Sequence, residues 1–128
     1  MKILKKINKK EFLTNLGNFL TDVRNKMPPK EVKEDGSYVL KIGKGTKHCT
    51  QTEIAKWLEV TFQQVQKYEK ATNAYSLVQF VGTCDYFGLD YTAVINIAKE
   101  GFQTGKLDAM VHKLSKYETI KIEDTKWH

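Results

Sequence analysis

Apolar residues recur at helical spacing near the start of this chain of 128 residues, and the same spacing returns in its middle third. The first stripe is formed by Phe12, Leu13, Leu16, Phe19, Leu20, Val23 and Met27. Such a stripe indicates a helix that buries one face. Asn8 with Glu11 three residues later is a helix start signal, and Pro28-Pro29 ends the pattern because proline disfavours helix before it. The pattern predicts a first helix over residues 9–27, after a basic arm at 1–8.

Residues 28–49 have a different pattern. Asp35-Gly36 is a type I′ turn signal, with Val32 before it and an alternating segment at 38–42 after it. This predicts a two-stranded hairpin, followed by a second turn at 43–45. A lone hairpin is marginal, so its apolar side chains are expected to pack on the helical core or on a partner subunit. The lysines of this segment are Lys41, Lys44 and Lys47. Two interpretations remain open: the hairpin is a wing whose lysines contact the DNA backbone, or it is a surface insertion whose lysines only keep it solvated.

Two short helices with separate start signals are predicted over residues 50–69. Thr50 with Glu53 forms one capping box, and Thr61 with Gln64 forms a second. The apolar faces consist of Ile54, Ala55, Leu58, Val65 and Tyr68. Helices this short must pack against a third and leave one side outward. The outward polar side of the second helix has the shape that fits the major groove of DNA.

The pattern continues with two more helices. Ser76 with Gln79 is a third capping box, and Gly88 suits the position after the helix end. The buried stripe of this helix is predicted as Leu77, Phe80, Val81, Cys84 and Phe87. Asp90 can cap a fifth helix through Ala98, whose apolar positions are Val94, Ile95 and Ile97. A sixth helix at 107–117 and a short strand at 119–122 are predicted in a C-terminal extension, 96–128, that is a possible dimerisation segment.

The chain from about 49 to 95 resembles the phage-repressor-like helix-turn-helix family of the Cro or XRE type. The residues that match in order and spacing are Thr50, Gln51, Ile54, Ala55, Leu58, Val60, Thr61, Val65, Tyr68 and Glu69. The resemblance implies a mainly α, five-to-six-helix lambda-repressor-like domain with its core at 50–95. Here a β-hairpin-like insertion separates helices 1 and 2. Two positions where the family has glycine carry Glu59 and Ala71, and a non-glycine residue with positive φ costs roughly 1 kcal/mol.

The resemblance implies that the start of helix 2, the helix beginning at Thr61 and the loop after it lie at DNA. The predicted DNA-binding residues are Gln51, Thr61, Phe62, Gln63, Gln66, Lys67, Lys70, Thr72 and Asn73. Gln pairs with adenine, Lys donates to guanine, and the Phe62 ring suits a thymine methyl group. Gln64 is expected to serve its capping box instead. Glu69 is expected to be structural, paired with a lysine, and Trp57 is expected to pack in the core or at its rim rather than stack on a base.

The net charge of +6 favours a polyanionic partner, but that charge is unevenly placed. Residues 1–10 hold five lysines and no acid, whereas residues 50–75 hold three lysines and three glutamates. Phosphate attraction is therefore expected largely from outside the helix-turn-helix. The neutral motif leaves open an interaction module that reads no DNA, and an antitoxin or autoregulator that binds a protein partner. The leading hypothesis is a dimeric transcriptional repressor that dimerises through residues after Asp90 and binds double-stranded DNA.

Other classes receive little support from the sequence. The three histidines are scattered, and two distant cysteines form neither a metal motif nor a disulfide framework. We expect no catalytic residue, cofactor or metal. The chain contains no run of eighteen apolar residues and no secretory signal pattern, so we expect no membrane association. The expected location is the cytoplasm of a prokaryote or phage-infected cell, close to the nucleoid.

Overall fold

The computed structural model describes residues 6–40 and 48–101, which form five α-helices and one two-stranded antiparallel sheet. The elements in chain order are α1 Lys9–Lys26, β1 Lys30–Val32, β2 Tyr38–Leu40, α2 Gln51–Leu58, α3 Phe62–Glu69, α4 Leu77–Phe87 and α5 Tyr91–Glu100. The mainly helical class and the hairpin between the first two helices are thereby confirmed. Residues 1–5 and the three hairpin lysines lie outside the described residues, as do the segments where a second turn, a sixth helix and a C-terminal strand are predicted.

Helix α1 lies in the core, where it packs against α5 and α3. Its start is the predicted one, because the Asn8 side chain accepts the Glu11 N–H at 3.0 Å. The helix ends before Met27, whose extended backbone leads into the two prolines. The buried part of the predicted stripe is Leu16, Phe19, Leu20, Val23 and Met27. Arg24 is buried on this helix as well, at 8% exposure, which the pattern does not predict.

The same backbone motif ends α2, α3 and α4, although only α4 has a glycine for it. In α2 the N–H of Val60 bonds to the Ala55 carbonyl, and Glu59 lies at φ 58°. In α3 Ala71 takes the equivalent place at φ 62°. This Schellman motif requires a left-handed residue after the helix. The fold therefore keeps the glycine-type turn geometry at two non-glycine residues, at a cost of roughly 1 kcal/mol each.

The three predicted capping boxes differ in completeness. Thr50 and Glu53 form both halves, with the Thr50 N–H donating to the Glu53 carboxylate at 3.0 Å. Thr61 and Ser76 accept their helix N–H groups at 3.1 Å, but neither glutamine three residues on returns a bond. The predicted capping role of Gln64 is therefore wrong. The positive end of the helix dipole stabilises a carboxylate at the helix start, and it stabilises a neutral amide less.

The first residue of the predicted α4 stripe is exposed, and α5 buries one face only. Leu77 is 77% exposed and Val78 beside it is 76% exposed, so the first turn of α4 projects beyond the core. On α5 the buried residues are Val94, Ile97 and Ala98, which share one face, and Ile95 is 40% exposed because it lies about 100° away. The predicted burial of Leu77 is therefore wrong, whereas Phe80, Cys84 and Phe87 are buried as predicted. Asp90 caps α5 as predicted, accepting the Ala93 N–H at 3.1 Å.

The hairpin pairs Val32 with Tyr38 and Lys30 with Leu40, but its turn is not the predicted type I′. The Gly36 N–H donates to the Lys33 carbonyl at 3.0 Å, and the Lys33 N–H donates to the Ser37 carbonyl at 2.7 Å. Gly36 has φ 88°, while Asp35 is not among the positive-φ residues. A type I turn followed by a glycine bulge has this geometry. The Asp35 carboxylate accepts the Ser37 N–H at 2.9 Å, which stabilises this alternative.

Lys30 attaches the hairpin to the helical core. Its ammonium lies 4.4 Å from the Tyr38 ring centroid, 4.3 Å from that of Tyr86 and 5.9 Å from that of Trp57. It also donates to the Tyr86 carbonyl. The Trp57 indole N–H donates to the Gly82 carbonyl at 2.9 Å, so the expected rim packing of Trp57 is confirmed. A cation within about 6 Å of a ring face is attracted by it, which holds β1 against α2 and α4.

Burial lowers the pKa of Lys30 to about 8, despite the opposing effects of Cys49 and Asp85. The unfolded chain then binds more protons than the folded protein between pH 8 and 10.5, so this lysine adds stability as the pH rises through that window. We expect the wild type to gain on the order of 1 kcal/mol relative to Lys30→Met between pH 7 and 9.5, since water partly screens the ammonium. Urea unfolding at both pH values measures this. The control substitution Lys33→Met, at an exposed neighbouring lysine, should show no such pH-dependent difference from the wild type. If the stability difference between the wild type and Lys30→Met is the same at pH 7 and at pH 9.5, the prediction is wrong.

Candidate nucleic-acid interface

One face of α3 is fixed in the core and the opposite face is open. Val65 and Tyr68 are 1% and 6% exposed. The outward stripe, at spacing i, i+3, i+4 and i+7, is Gln63, Gln66, Lys67 and Lys70. All four are exposed except Gln66, which is half-buried. In the described ranges the hairpin packs on α2 and α4 through Lys30, so the stripe remains accessible to a ligand.

The N-terminal end of α3 presents two further predicted residues. Thr61 and Phe62 are exposed, and 40% of the surface of Phe62 is accessible to solvent. The Thr61 hydroxyl oxygen accepts the Gln64 N–H, so this side chain already has a structural role. Gln64 itself is half-buried. At this end the free recognition chemistry is therefore the apolar ring of Phe62 and the amide of Gln63.

The loop after α3 is folded back on the Lys67 carbonyl. That oxygen accepts the Thr72 N–H at 3.0 Å, the Thr72 hydroxyl at 3.2 Å and the Asn73 N–H at 3.3 Å. Tyr68 and Tyr75 stack with centroids 4.4 Å apart and hold the far end of the loop. Thr72 and Asn73 are exposed, but their backbone donors are occupied. The Lys70 ammonium and the Asn73 amide remain the better phosphate donors here.

Arg24 and Glu69 form a buried ion pair that fixes the end of α3. The guanidinium donates to both carboxylate oxygens, from Nε at 2.7 Å and from Nη2 at 2.9 Å. Its Nη1 donates to the Cys49 carbonyl at 3.1 Å. The two side chains are 10% and 8% exposed. The structural role expected for Glu69 is confirmed, but its partner is an arginine rather than a lysine.

Gln51 completes this cluster. Its side-chain amide donates to the Glu69 carboxylate at 2.8 Å, which links the start of α2 to the end of α3. The residue is half-buried. In the free protein Gln51 is thus a positioning residue for α3, and its contact with DNA stays a prediction. The cluster therefore links α1, α2 and α3 through the Glu69 carboxylate.

Residues 50–75 have no net charge, but their acidic and basic side chains lie on different faces. Glu69 is paired inside with Arg24, and Glu53 is engaged with Thr50 at the start of α2. The outward α3 stripe holds Lys67 and Lys70 and no acid. An acid-free stripe with two ammonium groups attracts phosphate. The neutral motif is therefore no argument against a nucleic-acid surface.

The described residues offer little for other chemistry. Burial raises the pKa of Cys49 and that of Cys84 to about 12, so both thiols are protonated and weakly nucleophilic at neutral pH. In residues 6–40 and 48–101 no three His, Cys, Asp or Glu side chains converge as a metal ligand set. Over the same ranges no helix is both long enough and apolar enough to cross a bilayer.

Comparison with known proteins adds no further constraint. Neither known protein families, nor curated proteins, nor solved structures yield a match to this chain. The interpretation of the α3 face therefore depends on its residues, their exposure and their charge.

Proposed function

We propose that this protein is a sequence-specific DNA-binding regulator with a lambda-repressor-like helix-turn-helix, which inserts α3 into the major groove. One observation carries the proposal: the outward face of α3 is a solvent-open, acid-free stripe of amides and ammonium groups. The helix beneath it is fixed by Val65, Tyr68 and the Glu69 ion pair. A helix held rigidly by one face, with polar side chains on the other, suits direct reading of base edges.

The residues divide by the DNA groups that their chemistry matches. Gln63 can form two hydrogen bonds with an adenine edge, Lys67 can donate to guanine, and Phe62 can contact a thymine methyl group. Gln66 is half-buried and therefore contributes less to base contacts. The residues suited to phosphates are Lys70, Thr72, Asn73 and Gln51. Phosphate contacts set register while base contacts give specificity.

A dimer supports this function best. One α3 of eight residues contacts only a few base pairs, and two copies on a two-fold site double the sequence that is read. Large apolar side chains outside the α3 stripe are exposed on the later helices: Leu77, Val78, Tyr91 and Ile95. Exposed apolar patches are typical of association surfaces. The first turn of α4 is therefore a second candidate for the dimer surface, beside the predicted segment after Asp90.

The test is a binding measurement on duplexes selected from a random pool by the wild-type protein. Gln63→Ala is expected to cost about 1–3 kcal/mol on the selected duplex and little on random DNA, because it removes a base contact and no charge. Lys67→Ala should also weaken the selected complex. Lys56→Ala, which removes the same charge from the opposite side of the motif, is the matched control and should leave the selected duplex nearly unaffected.

Two results would contradict the proposal. Equal losses on selected and random DNA for Gln63→Ala would show that α3 does not read bases. Failure to shift any duplex, at low as well as moderate salt, would favour an interaction module on the same fold. Salt must be varied because phosphate contacts weaken steeply as it rises.

A further inference from the structure

A cleft of about 410 Å³ lies between the hairpin and α2, away from the α3 stripe. It is lined by all three residues of β1, by outward side chains of α2 and by Tyr86 of α4. Among the residues whose side chains the structure describes, none of β2 and none of α3 lines it. Since β1 borders the cleft and no described β2 residue does, we infer that the edge of β1 that is not paired with β2 lies at this space. The proposed DNA-reading surface leaves the cleft unused.

The backbone of Val32 is oriented toward that edge. The bond from the Lys33 N–H to the Ser37 carbonyl identifies these two residues as a hydrogen-bonded pair. Antiparallel ladders alternate, so Glu31 faces β2 and the N–H and carbonyl of Val32 face away from it. Val32 is 36% exposed. An exposed strand edge of this kind is a template for an added strand.

The walls of the cleft are acidic, in a chain whose net charge is +6. Three glutamates, Glu31, Glu53 and Glu59, are among its lining residues, although the Glu53 carboxylate also accepts bonds from Thr50. The ammonium of Lys30 is directed to three aromatic rings and the Tyr86 carbonyl. Lys56 is the remaining ammonium on its lining. Trp57, 40% exposed, adds an aromatic surface. Carboxylates repel phosphate but attract cations, and an exposed indole ring does so too.

We propose that this cleft binds an extended basic segment of a protein partner, which pairs with β1 as a third strand. The Val32 backbone supplies hydrogen bonds, the glutamates attract lysine or arginine side chains, and Trp57 packs on one of their aliphatic stems. Strand addition obtains affinity from main-chain bonds and specificity from alternate side chains. The proposal does not depend on DNA binding, since cleft and stripe share no residue.

The probe is an acetylated and amidated hexapeptide of alternating lysine and valine, titrated into the full chain by calorimetry. Val32→Pro removes the edge donor without touching the ladder to β2, because proline is tolerated on an edge strand. We expect it to weaken peptide binding about fivefold, as the loss of one hydrogen bond does. Glu31→Lys should weaken binding by a similar factor. Glu34→Lys, the same charge change on the turn outside the cleft, should leave it unchanged.

Several outcomes separate this proposal from general charge attraction. The control peptide is an acetylated and amidated hexapeptide of alternating glutamate and valine. Binding of this control as tight as that of the lysine-valine peptide would overturn the proposal, and so would equal losses for Glu31→Lys and Glu34→Lys. If circular dichroism shows that Val32→Pro is unfolded, the comparison of Glu31→Lys with Glu34→Lys still tests the proposal. Unchanged affinity of Glu31→Lys for selected DNA distinguishes failure here from failure of the α3 surface.

Discussion

Replacing Arg24 with methionine is expected to lower the free energy of unfolding by about 3–5 kcal/mol, the usual cost of removing one partner of a buried ion pair. The substitution keeps an aliphatic side chain in the core but leaves the Glu69 carboxylate, 8% exposed, without its cation. Gln51 would remain as a donor to that carboxylate, and one neutral amide does not replace a two-bond guanidinium. The Cys49 carbonyl would lose its bond as well.

Urea unfolding of a small variant set measures this effect. The double substitution Arg24→Met with Glu69→Leu removes both charges, and we expect it to recover most of the loss, since apolar replacement of a whole buried pair is often neutral or stabilising. Lys10→Met, an exposed cation on the same helix, is the matched control and should change stability by less than about 0.5 kcal/mol. A loss below about 1 kcal/mol for Arg24→Met would show that the pair is solvent-screened.

This cluster was beyond prediction from sequence patterns, although one signal points to it. Arg24 and Glu69 lie 45 positions apart, and no local rule relates them. Yet Arg24 is the single arginine among 21 basic residues. Lysine serves for surface charge, whereas a planar fork that bonds both oxygens of a carboxylate requires arginine. A lone arginine inside the first helix stripe is therefore a sign of a specific buried partner.

Local signals predicted the element boundaries well, because caps and stops act within one turn. Asn8, Thr50 and Asp90 all accept the helix N–H groups expected of them. Patterns failed where the outcome depends on neighbours distant in sequence. Leu77 has the correct spacing for burial, but none of the five described helices buries the first turn of α4. The hairpin turn was mistaken because the Asp35 carboxylate competes locally for the Ser37 N–H.

The candidate site was predictable in position but not in charge. Helical periodicity alone places Gln63 and Lys67 opposite Val65, and the structure exposes them accordingly. Summing charges over residues 50–75 gave a neutral motif, because a sum does not register that Glu69 is buried against Arg24. The DNA contact assigned to Gln51 faces a similar difficulty, since its amide is occupied by a residue 18 positions away.

Gly17 is the second position where a small change is expected to have a large effect. A Cβ added there would lie 2.6 Å from the Glu69 carbonyl oxygen and 2.9 Å from that of Tyr68. Both are backbone atoms, so α3 itself would have to move away from α1. We expect Gly17→Ala to lower the free energy of unfolding by about 1–3 kcal/mol, the range for overpacking. This loss would occur although alanine favours a helix by up to about 1 kcal/mol over glycine.

Gly82→Ala provides the matched control, being the same substitution inside another helix. Its Cβ would meet the Leu58 Cδ2 at 2.8 Å, the end of a side chain that can rotate. We expect its stability to stay within about 1 kcal/mol of the wild type, because propensity and packing oppose each other. Urea unfolding distinguishes the pair, and equal changes in both would refute the close approach of α1 to α3. Since Gly17 contacts the end of the proposed recognition helix, its variant should also bind selected DNA more weakly where both proteins are folded, while Gly82→Ala should not.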